Sequence, residues 1–220
     1  MSVLIPLLLR PDGPECWKEN ATDIAKNLTY PEKEVIIFDE AVPAYQSTYA
    51  AEANSRNAVV ERFLKDEHSH VFWIDTDIVK YDHDIIEKLL ALTTEHIIAP
   101  YVFIEDNPSW NFKRFYDING FVDKDYNHFN FREPFINYGK GEVLQEVRSV
   151  GACYLVPACV YRKGYRYDPF ATKELGVEHL TLFEQLKGEY KVYATPLLEV
   201  SHAFLPFYGL DFHQEGKPRR

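Results

Sequence analysis

The 220-residue chain contains only three cysteines, which is too few for a disulfide framework, and none has partners at the spacing of a zinc site. It has no apolar run long enough to span a bilayer. Its first residues lack the basic segment and the small-residue cleavage site of a signal peptide. Reduced cysteines, together with these absences, predict a soluble protein of the cytoplasm.

Basic residues are also scarce, since 24 Lys and Arg face 34 Asp and Glu, and the net charge is −10. This balance argues against a nucleic-acid partner or an anionic membrane surface. An anionic small molecule is still compatible with it, because a metal ion can bridge carboxylates to phosphate. Hydrophobic residues make up 46% of the chain, which is enough for a sizeable core, and a single domain over residues 1–220 is predicted.

The first hundred residues alternate between short apolar segments and segments in which apolar residues recur at helical spacing. This order predicts strand–helix–strand repeats, and therefore an α/β fold with a mostly parallel central sheet and helices on both faces. The predicted strands are 2–9, 34–38, 71–74 and 96–102, and the predicted helices are 15–28, 56–64 and 82–92, the last with Asp82 as a cap.

The second half of the chain has a different pattern. Residues 105–145 are rich in aromatic side chains without a clear period, which predicts a small antiparallel portion and long loops that cover a site. Further along, the predicted elements are a strand over 147–156 interrupted at Gly151, a helix over 177–186, strands at 190–193 and 197–200, and a loose polar tail at 211–220.

Two acids, Asp75 and Asp77, directly follow the apolar strand 71–74. In an extended chain alternate side chains point the same way, so Asp-X-Asp spaces two carboxylates for one divalent cation. Mg²⁺ and Mn²⁺ suit such a pair and complete their coordination with phosphate oxygens and water. Asp39 also follows a predicted strand, and ligands of open α/β sheets bind beyond these carboxyl ends. An Asp-X-Asp alone is a weak signal, because most such acids only solvate a turn.

Three longer segments are more specific than the Asp-X-Asp. They are SRNAVVERFL at 55–64 followed by VFWIDTDI, SVGACYLVPACVYRKGYRYDPF at 149–170, and VEHLTLFEQLKGEYKVYATPLLEVSH at 177–202. In this order they resemble the nucleotide-sugar glycosyltransferases of the GT-A fold, over most of the chain. The nearest types are the inverting family-two-like enzymes and the fungal mannan-polymerase type. A looser resemblance is to the soluble glycosyltransferases of large algal viruses, for which the compartment would be the host cytoplasm.

The resemblance implies a Rossmann-like GT-A domain with a nucleotide-binding half at 1–102 and an acceptor-binding half at 103–210. The implied reaction moves a hexose from a nucleotide-sugar donor, UDP-sugar first and GDP-mannose next, to a carbohydrate or glycoprotein acceptor. The implied metal ligands are Asp75, Asp77 and His202, with Mn²⁺ favoured over Mg²⁺ because an imidazole is among them. The implied donor contacts are Pro6, Leu8, Arg10, Asp39, Arg56, Asp75, Thr76 and Gly151.

The chain departs from the family at Glu178-His179, where many inverting relatives have Glu-Asp. Glu178 or His179 would be the base that deprotonates the acceptor hydroxyl, or neither acts and the enzyme retains configuration. Two other functions remain open from the sequence: a phosphatase or phosphotransferase with Asp75 as nucleophile, and a non-catalytic nucleotide-sugar-binding module. The oligomeric state is not predicted.

Overall fold

The computed structural model of the chain describes residues 1–10, 13–40, 48–104, 115–116, 120–123, 125–127, 143–175 and 177–203. Within these segments there are nine strands and six helices. The strands are β1 (Ser2–Leu8), β2 (Lys33–Phe38), β3 (His68–Ile74), β4 (Ile78–Lys80), β5 (Ile97–Ile104), β6 (Val122–Asp123), β7 (Gln145–Ser149), β8 (Cys153–Pro157) and β9 (Val192–His202). The helices are α1 (Glu15–Asn27), α2 (Thr48–Phe63), α3 (Ile85–Leu92), α4 (Ala158–Arg162), α5 (Thr172–Leu175) and α6 (Glu178–Gln185).

The described strands form one sheet in the order β2-β1-β3-β8-β5-β9-β7-β6, and β4 pairs with β9. β1 is parallel to β2 and β3, and β5 is parallel to β9. β8 lies between β3 and β5 and is antiparallel to both. The predicted α/β class is therefore confirmed, in a sheet that combines parallel and antiparallel pairs. Strands of both predicted halves share this sheet, and the division into two halves stays a prediction.

Two strand predictions change in the structure. The segments 190–193 and 197–200 are one strand, β9. Pro196 does not end it, because the register against β5 shifts at this point and a bulge accommodates the missing N–H. The strand predicted over 147–156 is two strands, β7 and β8, which pair with different neighbours on either side of Gly151.

Two helices begin elsewhere than the pattern of apolar residues predicts. α3 begins at Ile85 with Asp84, not Asp82, at its N-cap, and the Asp84 carbonyl accepts a helical bond of 3.1 Å. α2 already includes Thr48, well before the predicted start at Arg56. Its buried face contains small alanines and Arg56 itself, so it lacks the strong apolar period by which a helix is recognised.

A line of buried polar aromatic side chains crosses the core. The Trp73 indole N–H donates to the Tyr161 hydroxyl at 2.8 Å. The Tyr161 and Tyr167 hydroxyls are 3.0 Å apart, and those of Tyr167 and Tyr154 are 2.7 Å apart. Burial raises the pKa of all three tyrosines well above the usual value, so each keeps its proton. The Trp73 N–H can only donate, so the Tyr161 oxygen accepts from it and the Tyr161 O–H is available to donate to Tyr167, as the Tyr167 O–H is to Tyr154.

Only part of the aromatic region predicted over 105–145 falls within the described residues. Phe115 is fully buried there, with its ring centroid 5.5 Å from Tyr101 and 5.0 Å from Phe121. Most of that region and the predicted tail at 211–220 lie outside the described residues. Among the described helices, none is both long and apolar enough to cross a membrane.

The buried hydroxyl line makes a testable contribution to stability. Tyr161→Phe leaves the Trp73 N–H without its acceptor, and a buried unsatisfied donor costs about 1 to 3 kcal/mol of unfolding free energy. Tyr165→Phe is the matched control, because its hydroxyl donates to Glu189 at the surface, and we expect a change below about 0.5 kcal/mol. Urea unfolding of both variants measures the difference, and equal losses would contradict the assignment.

Candidate active site

The carboxyl ends of β1 and β3 meet at one edge of the sheet, and the Asp-X-Asp segment lies there. The Thr76 hydroxyl donates to the Leu8 carbonyl at 3.3 Å, which ties the segment to the end of β1. Asn20, on α1, donates through its side-chain amide to the carbonyls of Thr76 at 2.7 Å and Ile78 at 2.8 Å. The segment is therefore held from two sides. Asn20 was not predicted from the sequence, because an isolated Asn in a helix carries no signal of this contact.

Asp77 and His202 are brought together by the backbone as well as by their side chains. β4 pairs with the end of β9, where Ile78 is opposite His202, and the Ala203 N–H donates to the Asp77 carbonyl at 2.8 Å. His202 Nε2 is 2.9 Å from Asp77 Oδ2. His202 Nδ1 is 3.0 Å from the Ala203 carbonyl, which can only accept, so Nδ1 carries a proton.

The protonation of the His202 ring follows from these contacts. The side chain is 1% exposed, and burial alone would lower its pKa, but the Asp77 carboxylate outweighs burial and raises it. Without another positive charge at Asp77, the ring therefore holds its second proton more strongly than a free imidazole does. A cation bound at Asp77 would replace the Nε2 proton and leave Nδ1–H on the Ala203 carbonyl, which is the usual arrangement of a metal-bound histidine.

Arg56 links the other acid to the start of α6. Its Nη2 is 3.3 Å from Asp75 Oδ1, and its Nε is 3.4 Å from Glu178 Oε1. The residue is 4% exposed, and its guanidinium carbon lies 4.8 Å from the centroid of the Trp73 ring and 5.9 Å from that of Tyr154. The structure thus places Arg56 inside the protein, in contact with two carboxylates, and not on the outer face of the helix.

His179 continues the line of buried hydroxyls to Glu178. Its Nδ1 is 3.2 Å from the Tyr154 hydroxyl, and its Nε2 is 3.1 Å from Glu178 Oε1. Burial lowers the pKa of His179 well below the usual value, and Arg56 acts in the same direction. The ring is therefore neutral, with Nδ1 accepting from Tyr154 and Nε2–H donating to Glu178. Both nitrogens are used inside the protein, and His179 holds the carboxylate of Glu178 in place.

A further ion pair, between Arg10 and Glu52, joins the end of β1 to α2. Arg10 is the more open of the two, with a side chain 53% exposed against 19% for Glu52. Burial raises the pKa of Glu52 to about 7, and the neighbouring Glu178 acts in the same direction. Glu52 was missed from the sequence. Its only signal is its place one helical turn before Arg56, which puts both side chains on the same face of α2.

Acidic side chains outnumber basic ones in this cluster. Burial raises the pKa of Asp75 to about 7, Arg56 opposes the rise, and Asp77, Glu52 and Glu178 add to it. Four carboxylates therefore share one partly buried region with two guanidinium groups and one imidazole, and this excess of oxygen donors suits a divalent cation. The members of the cluster are Glu52, Asp75, Asp77 and Glu178 with Arg10, Arg56 and His202.

The three predicted metal ligands lie in this region without yet sharing a centre. In the described part of the chain, no group of three or more His, Cys, Asp and Glu side chains converges on one point. The reason is that Asp75 turns to Arg56 while Asp77 turns to His202. Two carboxylates and an imidazole are suitable donors for Mn²⁺. To share one ion with Asp77 and His202, the half-exposed Asp75 carboxylate would have to rotate away from Arg56.

The remaining predicted donor contacts lie at or near the same edge. Pro6 is buried within β1, two residues before its end, and Leu8 is half-buried at that end. Asp39 is exposed directly after β2, the neighbour of β1. Gly151 is buried, and the next residue, Ala152, accepts the Asp75 N–H at 2.8 Å through its carbonyl. Ala152 has φ of 54° within a tight turn, so the backbone at Gly151 is held next to Asp75.

A protein-family model matches part of the chain. The Anp1 family model matches residues 44–133, which include α2, β3 and the Asp-X-Asp segment and amount to less than half of the chain. No curated protein sequence matches the chain.

Solved structures are similar in fold at low sequence identity. A crystal structure of GalNAc-T7 with UDP, GalNAc and Mn²⁺ is 11% identical with a TM-score of 0.55, and covers 99% of this chain but 45% of that one. The structure of S. aureus TarS, residues 1–349, is 9% identical with a TM-score of 0.47, and the match covers 89% of this chain and 60% of that one. The 4-diphosphocytidyl-2C-methyl-D-erythritol synthase of Anaerococcus prevotii is 10% identical with a TM-score of 0.44, and the match covers 91% of this chain and 87% of that one.

The protein therefore has the GT-A fold, which it shares with GalNAc-T7. It spans less than half the length of the GalNAc-T7 chain that it matches. The fold predicted from the three sequence segments is confirmed.

The buried charge of Arg56 should dominate the stability of this site. Arg56→Met leaves Glu178 buried without its cation, which should cost about 3 to 5 kcal/mol of unfolding free energy at pH 8. Burial already raises the pKa of Glu178, so the unpaired carboxyl of the variant takes up a proton more readily, and the loss should shrink at pH 5.

Arg62→Met on the same helix is the control for that variant. Its side chain is 50% exposed and pairs with Glu40 at the surface, so we expect a change below about 0.5 kcal/mol at either pH. Chemical denaturation at pH 5 and pH 8 measures both variants. A loss for Arg56→Met that is as small as that of Arg62→Met would remove Arg56 from its central place.

Proposed function

We propose that the protein is a metal-dependent glycosyltransferase, which moves a hexose from a nucleoside-diphosphate sugar to a hydroxyl group of a glycan or glycoprotein. The observation that carries the proposal is the carboxylate-rich cluster at the carboxyl edge of a GT-A sheet, where Asp77 already contacts His202. Acidic side chains outnumber basic ones there, which suits a cation, and a metal together with an exposed arginine suits a diphosphate.

Asp75, Asp77 and His202 would hold the metal, with Mn²⁺ favoured over Mg²⁺. When bound, the metal neutralises the negative charge that builds up on the departing diphosphate. The fold neighbour GalNAc-T7 was crystallised with UDP and Mn²⁺, which supports this choice by analogy of fold.

The donor would lie between the end of β1 and the Asp-X-Asp segment. Arg10 is an exposed cation at this edge and would exchange Glu52 for the diphosphate. Pro6, Leu8 and Asp39 would border the nucleoside, with Thr76 and Gly151 nearer the sugar. UDP is the first choice of nucleotide, and GDP-mannose is the second, supported by the mannosyltransferase-like Anp1 match.

Arg56 acts through its neighbours in this proposal. Its Nη2 and Nε are directed at Asp75 and Glu178, so it pairs with Asp75 in the metal-free site and holds Glu178 in place. The sequence predicted that Arg56 contacts the nucleotide directly, and in this proposal Arg56 acts on the donor site only through Asp75 and Glu178.

Glu178 is the better candidate for the base of an inverting reaction. The acceptor oxygen would bond to the anomeric carbon as the bond from that carbon to the diphosphate oxygen breaks, and the hydroxyl proton would pass to Glu178. His179 has no free lone pair for this proton, because Tyr154 donates to Nδ1 and Nε2–H donates to Glu178. His179 would therefore orient Glu178.

Donor and metal binding are tested by thermal shift. UDP-, GDP- and TDP-sugars are tested with and without Mn²⁺, and a ligand at one hundred times its Kd should raise Tm by about 5 to 10 °C. Asp77→Asn should abolish the metal-dependent part of this shift. Asp84→Asn, at the exposed start of α3, is the control and should leave it intact.

The outcomes of the panel separate the alternatives. No metal-dependent shift with any of these donors would overturn the proposal. A shift without transfer to any of a panel of glycoside acceptors would indicate a binding module, and release of inorganic phosphate from phosphate esters would indicate a phosphatase.

The base is tested by Glu178→Gln. A general base contributes about 10²- to 10⁴-fold, so transfer should fall by that factor while the donor-induced thermal shift persists. Glu184→Gln is the control on the same helix, since its carboxylate faces Tyr126 at 3.2 Å, away from Arg56, and it should keep full activity. Nucleotide release in the presence of acceptor measures both variants. Activity retained in Glu178→Gln would favour the retaining alternative.

A further inference from the structure

Tyr116 stacks on the imidazole of His202. The two ring centroids are 3.5 Å apart, and the ring planes differ by 17°. Tyr116 belongs to the segment between β5 and β6, whereas His202 ends β9. Nothing in the sequence pairs the two residues, and no part of the proposed mechanism uses Tyr116.

The backbone around Tyr116 is anchored to β5 and to the core. The Tyr116 N–H donates to the Val102 carbonyl at 2.8 Å, and the preceding residue, Phe115, forms an antiparallel bridge with Phe103. Phe115 is fully buried. β5 is also the strand that pairs with the end of β9, where Ile104 is opposite His202. The tyrosine ring is therefore placed over the imidazole by two attachments to the same strand.

The stack supplies a restraint that the hydrogen bonds of His202 do not. Nδ1 faces Ala203 and Nε2 faces Asp77, and both contacts lie at the edge of the ring. Hydrogen bonds at the edge leave the ring free to tilt out of its plane, which would swing Nε2 away from Asp77. An aromatic ring packed on the face blocks this tilt and excludes water from that side.

We infer that Tyr116 is a positioning residue, which holds the His202 imidazole with Nε2 directed at the metal that Asp77 would share. This inference rests on the proposed function, because it requires His202 to be a metal ligand. Partners that orient a ligand typically change metal affinity by about 10- to 100-fold when they are removed. The contact is made by the ring and not by the hydroxyl, so phenylalanine should replace tyrosine here.

The first test measures metal affinity directly on the full chain. Free Mn²⁺ is followed by electron paramagnetic resonance as it is titrated into the wild type, Tyr116→Phe, Tyr116→Leu and Tyr116→Met. We expect the Kd for Mn²⁺ to rise at least about tenfold in the leucine and methionine variants, and to stay within about threefold in the phenylalanine variant. Two apolar replacements of different shape are used so that one of them retains the fold, as judged by circular dichroism.

The second test needs no metal. Histidine labelled with ¹³C at Cε1 gives one NMR signal for each ring, and His202→Gln identifies that of His202. Stacking on Tyr116 should shift this signal by the ring current and keep it sharp in the wild type and in Tyr116→Phe. In Tyr116→Leu and Tyr116→Met the shift should be lost and the signal should broaden as the ring tilts.

The two tests separate this inference from the proposed function. Mn²⁺ binding by the wild type with unchanged Kd in both apolar variants would overturn the role of Tyr116 and leave the proposed function standing. Absence of Mn²⁺ binding by the wild type would contradict both the metal dependence and the metal-positioning role, while the NMR comparison would still show whether Tyr116 orients the ring. A His202 signal that is identical in all variants would show that the stack does not orient it.

Discussion

The buried charge of Arg56 is the interaction on which the site depends. Removing a guanidinium from water costs several kcal/mol unless carboxylates and hydrogen bonds compensate it, and Asp75 and Glu178 do so here. Trp73 covers one side of the group. The requirement to pair this one charge brings together the end of β3, the middle of α2 and the start of α6. The acids are therefore gathered at one edge of the sheet before any ligand binds, with Asp75 directed at Arg56 and Asp77 at His202.

The second half of the site is organised by backbone pairing. β4 and β9 place Asp77 and His202 side by side, so their contact does not rely on long flexible side chains. Between the two halves lies a surplus of carboxylates whose mutual repulsion and burial raise the pKa of Glu52 to about 7. Carboxylates packed together in this way lower the stability of the folded protein. Locally unfavourable arrangements of this kind are typical of functional sites, here one that would bind a ligand of opposite charge.

Local patterns account for what could be predicted. The strands and helices of the first hundred residues follow from the period of their apolar side chains, which each segment shows by itself. α2 was predicted too short because the buried residues of its first half are the small alanines Ala50 and Ala53. The insertion of β8 between β3 and β5 was not predictable, since it is a pairing of distant segments. Asn20, Glu52 and Tyr116 were missed for the same reason, because each acts through a residue far away in the chain or in another element.

By itself, the sequence determined the α/β class, the position of Asp75 and Asp77 at a strand end, and the order of the segments that resemble GT-A enzymes. These depend on residue type and spacing, which are local properties. Only the tertiary structure decided that Arg56 is internal, that His179 is neutral and donates to Glu178, and that Tyr116 covers His202. Burial, protonation and ring contact are set by neighbours from several strands and helices, and folding alone brings those neighbours together.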